Sequence, residues 1–357
     1  MSFFSAPKFL SMPAVGLDIS ADAVRFIELE QRGDRLEVSR HASRNFPLGI
    51  IAEGHVQDKK RLQDVIAALA YEYKLSFANV SLPEEQAYLA NMRIPRVAPS
   101  EIRDAIELSL EEHVPISGAD ATFDYIVVGE GSGAQRKDSM DVVVSVLPRS
   151  AVEGYLEIFH GTGVTPKAFE FESQAMARAI IPKGDNGTFL VADIGKMVTD
   201  IFVAANGVVQ FSASLDIGGH NMTQAIEKAL KVTYDEAEAL KVKHGLIGGA
   251  KEEELRVAML GVVSDLRTRL LRHYSYWQTH HGDKVGGNIE TVYLTGGGAN
   301  LRGIAEYLGM SLDVKVRIAN PWVNVCSFED YVPPLSAHES HGYSAAIGLA
   351  LRNILSQ

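Results

Sequence analysis

The chain has 357 residues, of which 46 % are hydrophobic and 22 % are charged, and its net charge at pH 7 is −11. This composition is typical of a globular chain with two or three lobes, and the acidic balance argues against nucleic-acid binding. No apolar run reaches the roughly 18 residues of a membrane span, and the single cysteine, Cys326, excludes an internal disulfide and suits a reducing cytoplasm.

Apolar periodicity predicts that the chain opens with three strands, a helix and a fourth strand. These strands cover residues 15–19, 24–30, 36–39 and 80–82, and the helix covers residues 58–75. The pattern then changes, and residues 91–170 are predicted to form a small α+β module inserted into the first lobe. Its predicted elements are helices at 101–113 and 149–160 and strands at 123–129, 141–147 and 164–170.

The pattern of the opening returns near residue 190. Residues 188–193, 199–205 and 208–214 are predicted strands, and Asn206-Gly207 is a strong hairpin signal between the last two. A Gly-rich turn then leads into a helix that starts near Asn221. This repeat predicts a structural duplication, with one copy in each lobe. A long amphipathic helix at 252–277, a strand at 292–294 and a closing helix at 341–354 are predicted to complete the chain.

Three short segments carry residues suited to clamping a nucleoside triphosphate. Asp18-Ile-Ser20-Ala21-Asp22 and Asp193-Ile-Gly195 each end a predicted strand. A tight turn there directs backbone N–H groups at a phosphate, and the aspartate suits hydrated Mg²⁺. Gly296-Gly297-Gly298 lies between a strand and a helix, where glycines leave room for a base or ribose. Each segment alone is a weak signal, because such turns are common without a ligand.

The order of the three segments is more specific than any one of them. Together they resemble the phosphate-1, phosphate-2 and adenosine motifs of the actin, Hsp70 and sugar-kinase superfamily, and no Walker P-loop is present. The resemblance implies an α/β, actin-like two-lobe fold with duplicated RNase H-like subdomains.

Further segments resemble the PilM family within this superfamily, from about residue 13 to the end of the chain. They are Val15-Gly-Leu-Asp-Ile19, Ser81-Leu-Pro-Glu-Glu85, Met92-Arg-Ile-Pro95, the segment from Phe211 to Gly219, the segment from Tyr293 to Leu301 and the segment from Tyr343 to Ala350. The place of the insertion matches subdomain 1C of FtsA and PilM. The resemblance therefore predicts subdomain 1A at 13–90, completed by 171–187 and 340–357, subdomain 1C at 91–170, and a second lobe of subdomains 2A and 2B at 188–339, with 2B near 231–285.

The resemblance also implies a role for each matching residue. Asp18 and Asp193 would serve Mg²⁺, and Glu172 would act with Asp193 in catalysis by orienting the attacking water. Contacts with ATP are expected from Asp18, Ser20, Ala21, Arg25, Asp193, Gly195, Lys196, Gly218, Gly219, Glu238, Lys241, Gly296, Gly297, Gly298 and Asn300. Lys196 is expected either to contact phosphate or to point to solvent. Ser20 replaces the usual glycine, and no proline follows Glu172, so we expect slow ATP turnover at most.

The PilM resemblance implies a cytoplasmic protein that is recruited to the cytoplasmic face of the inner membrane. A groove beside the inserted module would take the N-terminal cytoplasmic peptide of a PilN-like membrane protein. Val80 to Leu82 and one face of the first helix of the module (Ile102, Ile106 and Leu110) are candidates for this groove, although that helix face also suits packing against the module's own sheet. Further pilus platform proteins, motor ATPases and a homo-oligomer are left open as partners.

Three other functions compete with this interpretation. One is an FtsA-like or MreB-like division or cytoskeletal protein, and another is a platform component of a type II secretion system with the same fold. The third is a small-molecule kinase, for which no aspartate placed for a substrate hydroxyl stands out in the sequence.

Overall fold

The computed structural model describes residues 14–130, 138–247, 253–280, 287–310 and 312–355. The strands of these residues are β1 (Val15–Ile19), β2 (Ala23–Arg32), β3 (Arg35–Asn45), β4 (Ile51–Ala52), β5 (His55–Val56), β6 (Phe77–Leu82), β7 (Tyr88–Pro95), β8 (Ala121–Glu130), β9 (Ser139–Pro148), β10 (Thr165–Phe171), β11 (Thr188–Ile194), β12 (Thr199–Ala205), β13 (Val208–Leu215), β14 (Thr291–Thr295) and β15 (Lys315–Ile318). The helices are α1 (Lys59–Tyr73), α2 (Ile102–Ser109), α3 (Arg149–Glu157), α4 (Glu172–Ile180), α5 (Gly219–Leu230), α6 (Tyr234–His244), α7 (Glu253–His280), α8 (Ile304–Gly309), α9 (Ala337–His341) and α10 (Ser344–Leu355).

The two large sheets have the same topology. The first-lobe sheet has the order β10-β6-β1-β2-β3, and the second-lobe sheet has the order β13-β12-β11-β14-β15. In each sheet three consecutive strands form an antiparallel meander, and two later strands add in parallel beside the first strand of the meander. This equivalence confirms the predicted duplication.

A separate helical layer covers one face of each large sheet. Leu62, Ile66 and Leu69 recur at helical spacing along α1 and are fully buried in the first-lobe core. The long helix α7 does the same in the second lobe with residues such as Met259 and Leu270. Each such leucine contributes about 1.5–3 kcal/mol by leaving water, so these helices stabilise each lobe separately.

Helices α4 and α10 lie between the two sheets and share one core with residues of both. The packing is so close that small residues are required. A Cβ atom at Gly16 of β1 would lie 1.9 Å from the backbone oxygen of Ala346, and one at Gly348 would lie 1.7 Å from the backbone oxygen of Ala175. Helix α4 connects strand β10 of the first-lobe sheet to strand β11 of the second-lobe sheet. A movement of one lobe relative to the other therefore displaces this helical layer.

The inserted module is a three-stranded sheet of order β7-β9-β8 with α2 on one face. Strand β7 was missed in the sequence, although its buried residues Ala90, Met92 and Ile94 alternate as in a half-buried strand. Helix α3 and strand β10 were grouped with the module. In the structure β10 pairs with β6, and Tyr155 of α3 lies in the first-lobe core.

Among the described residues, no helix combines the length and the apolar character that crossing a membrane requires.

Candidate nucleotide site

The turns of the two duplicated hairpins face each other across the lobes. The β1–β2 turn carries Asp22, and the β11–β12 turn carries Lys196, whose Nζ lies 3.4 Å from an Asp22 carboxylate oxygen. The structure thus brings the first two sequence motifs together. It also places the half-exposed Lys196 side chain against a carboxylate of the opposite turn.

The first-lobe turn is held by its own hydrogen bonds. Arg25 Nη1 donates to Ser20 Oγ at 2.9 Å, and Ser20 N donates to the backbone oxygen of Ala23 at 2.9 Å. Ala21 lies in the turn between them and is partly exposed. Asp18 is buried and accepts a hydrogen bond from Ser81 Oγ at 2.9 Å. Burial raises the pKa of Asp18, and the charge of Arg25 opposes this rise.

A carboxylate cluster lies at the second-lobe turn. Oxygens of Glu172, Asp193 and Asp200 all lie within 4.8 Å of one another. Burial, with the charge of Asp18 adding to it, raises the pKa of Asp193 to about 7. Burial is also the largest cause that raises the pKa values of Glu172 and Asp200 well above their usual range. Several carboxylates this close favour either shared protons or a bound cation.

Asp200 is the member of this cluster that the sequence reasoning missed. It is 4 % exposed, lies directly opposite Asp193 in the β11–β12 ladder, and accepts a hydrogen bond from Ser214 Oγ at 2.5 Å. Comparing the two duplicated hairpins could have identified Asp200 from the sequence. Asp18 pairs with Arg25 in the first hairpin, and Asp193 pairs with Asp200 at the same spacing in the second.

The glycine loop packs against the carboxylate cluster. Gly296 has a φ of 78°, and a Cβ atom there would lie 2.1 Å from Asp193 Oδ1. A Cβ atom at Gly298 would lie 2.3 Å from the side chain of Ile194. Gly297 instead is exposed and would meet no protein atom within 4 Å. Gly296 and Gly298 therefore permit close packing of the loop, and Gly297 leaves open space beside it.

The start of helix α5 completes the second-lobe side. Gly219 N donates to the backbone oxygen of Gly195 at 3.0 Å, and a Cβ atom at Gly218 would lie 2.5 Å from the backbone oxygen of Lys196. Helix α5 therefore begins directly beside the β11–β12 turn, and its first amides are used to hold that turn, since His220 N also donates to the Lys196 backbone oxygen at 2.8 Å. The positive end of the helix dipole still lies beside the turn.

Lys241 of α6 orders the side chains beside this helix start. Its Nζ donates to the Gly219 backbone oxygen at 3.0 Å, to Thr223 Oγ1 at 2.8 Å and to Glu238 Oε2 at 2.7 Å. Burial opposes ionisation of Glu238, but the hydrogen bonds from Lys241 and Thr223 lower its pKa. Glu238 is therefore an ionised acceptor at neutral pH.

Asn300 has a different environment from the other expected contacts. Its Oδ1 lies 2.8 Å from His341 Nδ1, and its Nδ2 donates to the backbone oxygen of His338 at 2.9 Å. Both ends of this amide therefore join the glycine loop to α9. The side chain holds the loop in place, and its polar atoms are already used within the protein.

These residues fit a magnesium nucleotide. The carboxylate cluster supplies the oxygen ligands that Mg²⁺ prefers, and burial, with smaller contributions from neighbouring carboxylates, raises its pKa values. The positive end of the α5 dipole beside Gly219 favours phosphate, and the open space at Gly297 suits a flat base.

The residues expected to line a peptide groove are inside hydrophobic cores. Ile106 and Leu110 are fully buried and Ile102 is 6 % exposed, because this face of α2 packs on the module's own sheet. Val80 and Leu82 lie in the first-lobe core. The structure therefore confirms the alternative that this face of α2 packs on the module's own sheet, and these buried residues do not line a groove.

A cavity of about 270 Å³ lies elsewhere beside the module, where it meets both lobes. Its walls come from Ile126 of β8, from Gln174 and Arg178 of α4, and from Val208 and Val209 of the β12–β13 hairpin. Strand β8 is an edge of its sheet, and Ile126 is 43 % exposed. Next to this wall, the buried side-chain nitrogen of Gln210 has no hydrogen-bond partner among the described residues.

A model of the family described as "Type IV pilus assembly protein PilM" matches residues 16–354. The chain belongs to the PilM family. A solved PilM–PilN type IV pilus biogenesis complex is similar over 96 % of this chain and 99 % of that chain, with 25 % identity and a TM-score of 0.77. MreB 5 of Spiroplasma citri bound to AMPPNP covers 96 % of this chain and 97 % of its own, with 14 % identity and a TM-score of 0.54, which shows a shared fold alone.

Curated relatives match a smaller part of the chain. Cell division protein FtsA of Escherichia coli (strain K12) is 28 % identical over 182 residues, which cover 44 % of this chain and 42 % of FtsA. The chain therefore spans less than half the length of this relative. Together the similarities confirm the actin-like two-lobe fold and the expected membership of the PilM family.

Proposed function

We propose that this protein binds Mg·ATP between its lobes and acts in type IV pilus assembly at the cytoplasmic face of the inner membrane, where it captures the N-terminal peptide of a PilN-like membrane protein. The observation that carries the nucleotide part is the pair of facing turns with a glycine loop packed against Asp193. The similarity to the PilM–PilN complex supports the partner, and that to MreB 5 bound to AMPPNP supports the nucleotide.

The residues of the two lobes divide the binding between them. Asp18 and Asp193 would hold the magnesium ion and its waters, and the start of α5 at Gly219 would face phosphate. When bound, Mg²⁺ neutralises phosphate charge and orients the phosphate oxygens. Glu238, which Lys241 holds in place, would hydrogen-bond the ribose or base.

Glu172 and Asp200 would orient the attacking water molecule and accept its proton. Each has a pKa raised well above its usual range, with burial as the main cause. A carboxyl group with a raised pKa is suited to proton transfer. Glu172 begins α4 in the layer between the sheets, and Asp200 belongs to the second lobe, so their spacing depends on how the lobes are arranged.

A lysine pair on α6 tests the nucleotide site. Lys241→Ala removes the hydrogen bonds that order Glu238 and the helix start, whereas Lys243→Ala changes an exposed lysine of the same helix. We expect isothermal titration to show Mg·ATP affinity weakened about fivefold by Lys241→Ala, the effect of losing about one hydrogen bond. Lys243→Ala should bind as the wild type does. Equal affinities of all three proteins would contradict the assigned site.

We place the peptide of the PilN-like protein in the cavity between β8, α4 and the β12–β13 hairpin. An extended peptide can pair with an edge strand such as β8, and the apolar wall residues suit its side chains. The site lies away from the nucleotide turns, so the two ligands would not compete directly.

Adjacent residues of β8 provide a matched test of this placement. Ile126 and Val127 are 43 % and 42 % exposed. Successive residues of a strand point to opposite faces, and of these two only Ile126 is among the cavity walls. We expect Ile126→Glu to weaken binding of a labelled N-terminal PilN-like peptide more than about tenfold in fluorescence anisotropy, since a buried charge costs more than 1.4 kcal/mol. Val127→Glu should have little effect. Equal loss in both variants would place the peptide elsewhere.

A further inference from the structure

A buried glutamate joins the two lobes beside the nucleotide site. Glu84 lies in a 3₁₀ turn, Glu84–Gln86, that follows β6, and it is 5 % exposed. Its carboxyl group accepts hydrogen bonds from Ser173 Oγ at 2.8 Å and Ser173 N at 3.4 Å. The same turn packs against strand β13, where the Ser212 hydroxyl faces Glu84 and counteracts the rise in its pKa that burial causes. Buried carboxylates require such partners. Here the partners belong to two different elements, α4 and β13.

On one side, Glu84 caps helix α4. The residue before this helix, Phe171, supplies no side-chain cap, so the first backbone amides of the helix need an acceptor from elsewhere. Glu84 supplies it at Ser173 N, and a negative group is also favoured at a helix N-terminus. Ser173 directly follows Glu172. The position of Glu84 therefore fixes the first turn of α4, from which Glu172 reaches the carboxylate cluster.

On the other side, Glu84 contacts the second-lobe sheet. Ser212 and Ser214 are alternate residues of β13 and so share one face of that strand. Ser214 donates to Asp200, while the Ser212 hydroxyl faces Glu84. One face of β13 thus holds both the second-lobe carboxylate of the cluster and the first-lobe residue that caps α4.

We propose that Glu84 is a positioning residue that bridges the lobes: by joining Ser173 to Ser212 it sets the spacing between Glu172 and Asp200 and keeps the lobes closed on the nucleotide. We call the Ser173–Glu84–Ser212 contact the Glu84 bridge. The inference rests on the proposed nucleotide site. Because β13 cannot move away from α4 without losing the Ser212 contact, the bridge slows lobe opening and the release of nucleotide.

The rate of nucleotide release tests the Glu84 bridge. Ser212→Ala and Glu84→Gln are each expected to speed the release of a fluorescent Mg·ATP analogue in stopped-flow measurements about tenfold, which corresponds to about 1.4 kcal/mol and is typical of a hydrogen bond to a charged group. The double variant should release little faster than either single variant, because both remove the same contact. Ser212→Thr keeps the hydroxyl and should restore slow release.

Ser145→Ala is the matched control. Ser145 also hydrogen-bonds α4, through Gln174 at 2.8 Å, but it belongs to the inserted module and makes no contact with Glu84. It should leave the release rate unchanged. If Ser145→Ala speeds release as much as Ser212→Ala, general loosening of α4 explains the effect and the proposal fails.

A distance measurement separates failure of the bridge from failure of the nucleotide site. Spin labels at Tyr71 on α1 and Val257 on α7, which are 90 % and 55 % exposed, report the distance between lobes in a Cys326→Ser background. Without nucleotide, Ser212→Ala and Glu84→Gln should broaden this distance distribution, and Ser145→Ala should not. A wild type that binds no Mg·ATP would overturn the nucleotide site alone. Unchanged distances in both bridge variants would overturn the bridge.

Discussion

The two duplicated hairpins share one topology but differ in charge at equivalent positions. In the first hairpin Asp18 lies opposite Arg25, and in the second Asp193 lies opposite Asp200. The first aspartate therefore has a cation and the hydroxyl of Ser81 close by, whereas the second has another carboxylate. Like charges placed directly opposite each other in a ladder are destabilising.

This difference indicates how the lobes divide the work. In the first hairpin Asp18 has Arg25 directly opposite it, and the Arg25–Ser20 hydrogen bond makes this a rigid turn that suits phosphate. In the second hairpin Asp193 has another carboxylate opposite it, and a magnesium ion bound there would offset the repulsion within this pair. In our account, the cation is therefore needed mainly by the second lobe, and the following predictions test that asymmetry.

The largest expected effect comes from removing the second-lobe aspartate. Asp193→Ala should weaken Mg·ATP binding about 100-fold or more in isothermal titration, which corresponds to about 2.7 kcal/mol for a lost charged contact. Asp64→Ala, which changes an exposed carboxylate of α1, is the control and should bind normally. If Asp193→Ala binds Mg·ATP with an affinity within a few-fold of the wild type, the second-lobe aspartate is not part of the site.

The pH dependence of stability should come next in size. The pKa of Asp193 is about 7 in the folded protein and near 3.8 when unfolded, so the folded state binds the proton more tightly. Its contribution to the free energy of unfolding is therefore present at low pH and is lost as pH rises through 7. Between pH 5.5 and pH 8 this loss is about 2 kcal/mol for the nucleotide-free protein.

Urea unfolding at those two pH values measures this effect. Asp193→Asn should remove that part of the slope, while Mg·ATP at pH 8 should restore stability. A wild type whose stability does not fall over this range, or whose slope survives in Asp193→Asn, would show that Asp193 is not the group responsible.

The smallest expected effect is a change in melting temperature when the equivalent residues Arg25 and Asp200 are substituted. At pH 8 and without nucleotide, Asp200→Asn should raise the melting temperature by about 2 °C, because it removes one of two opposed charges, and Arg25→Gln should lower it by a similar amount, because it leaves Asp18 uncompensated. Differential scanning calorimetry measures both shifts. Shifts of the same sign would mean that the charge difference between the hairpins has no energetic consequence.

Much of the fold could be predicted because it depends on local patterns. The strands around Asp18 and Asp193 and the helices α1 and α7 follow from apolar spacing, and the duplication follows from their order. Strand β7 was missed because Pro95 suggested a turn there. Proline is tolerated at the end of a strand, as it is in β7. The grouping of β10 with the module differs because its pairing with β6 joins residues far apart in sequence.

The candidate site was predicted less completely than the fold. The three motifs could be read locally, and the structure brings their residues close together, although their roles remain predictions. Asp200 and Glu84 were missed because the proposed role of each depends on a contact with a residue of another element, which the sequence around it does not indicate. Asn300 was expected to contact nucleotide, but its position beside His341 depends on the packing of α9, which no local pattern reveals.

The most direct test of the central claim is the nucleotide that the purified protein carries and its need for magnesium. The protein would be denatured to identify any released nucleotide, and the nucleotide-free protein would be titrated with ATP in Mg²⁺ and in EDTA. Our account predicts released ATP or ADP and ATP binding that is lost in EDTA. No released nucleotide, together with no heat of binding for Mg·ATP, would contradict it.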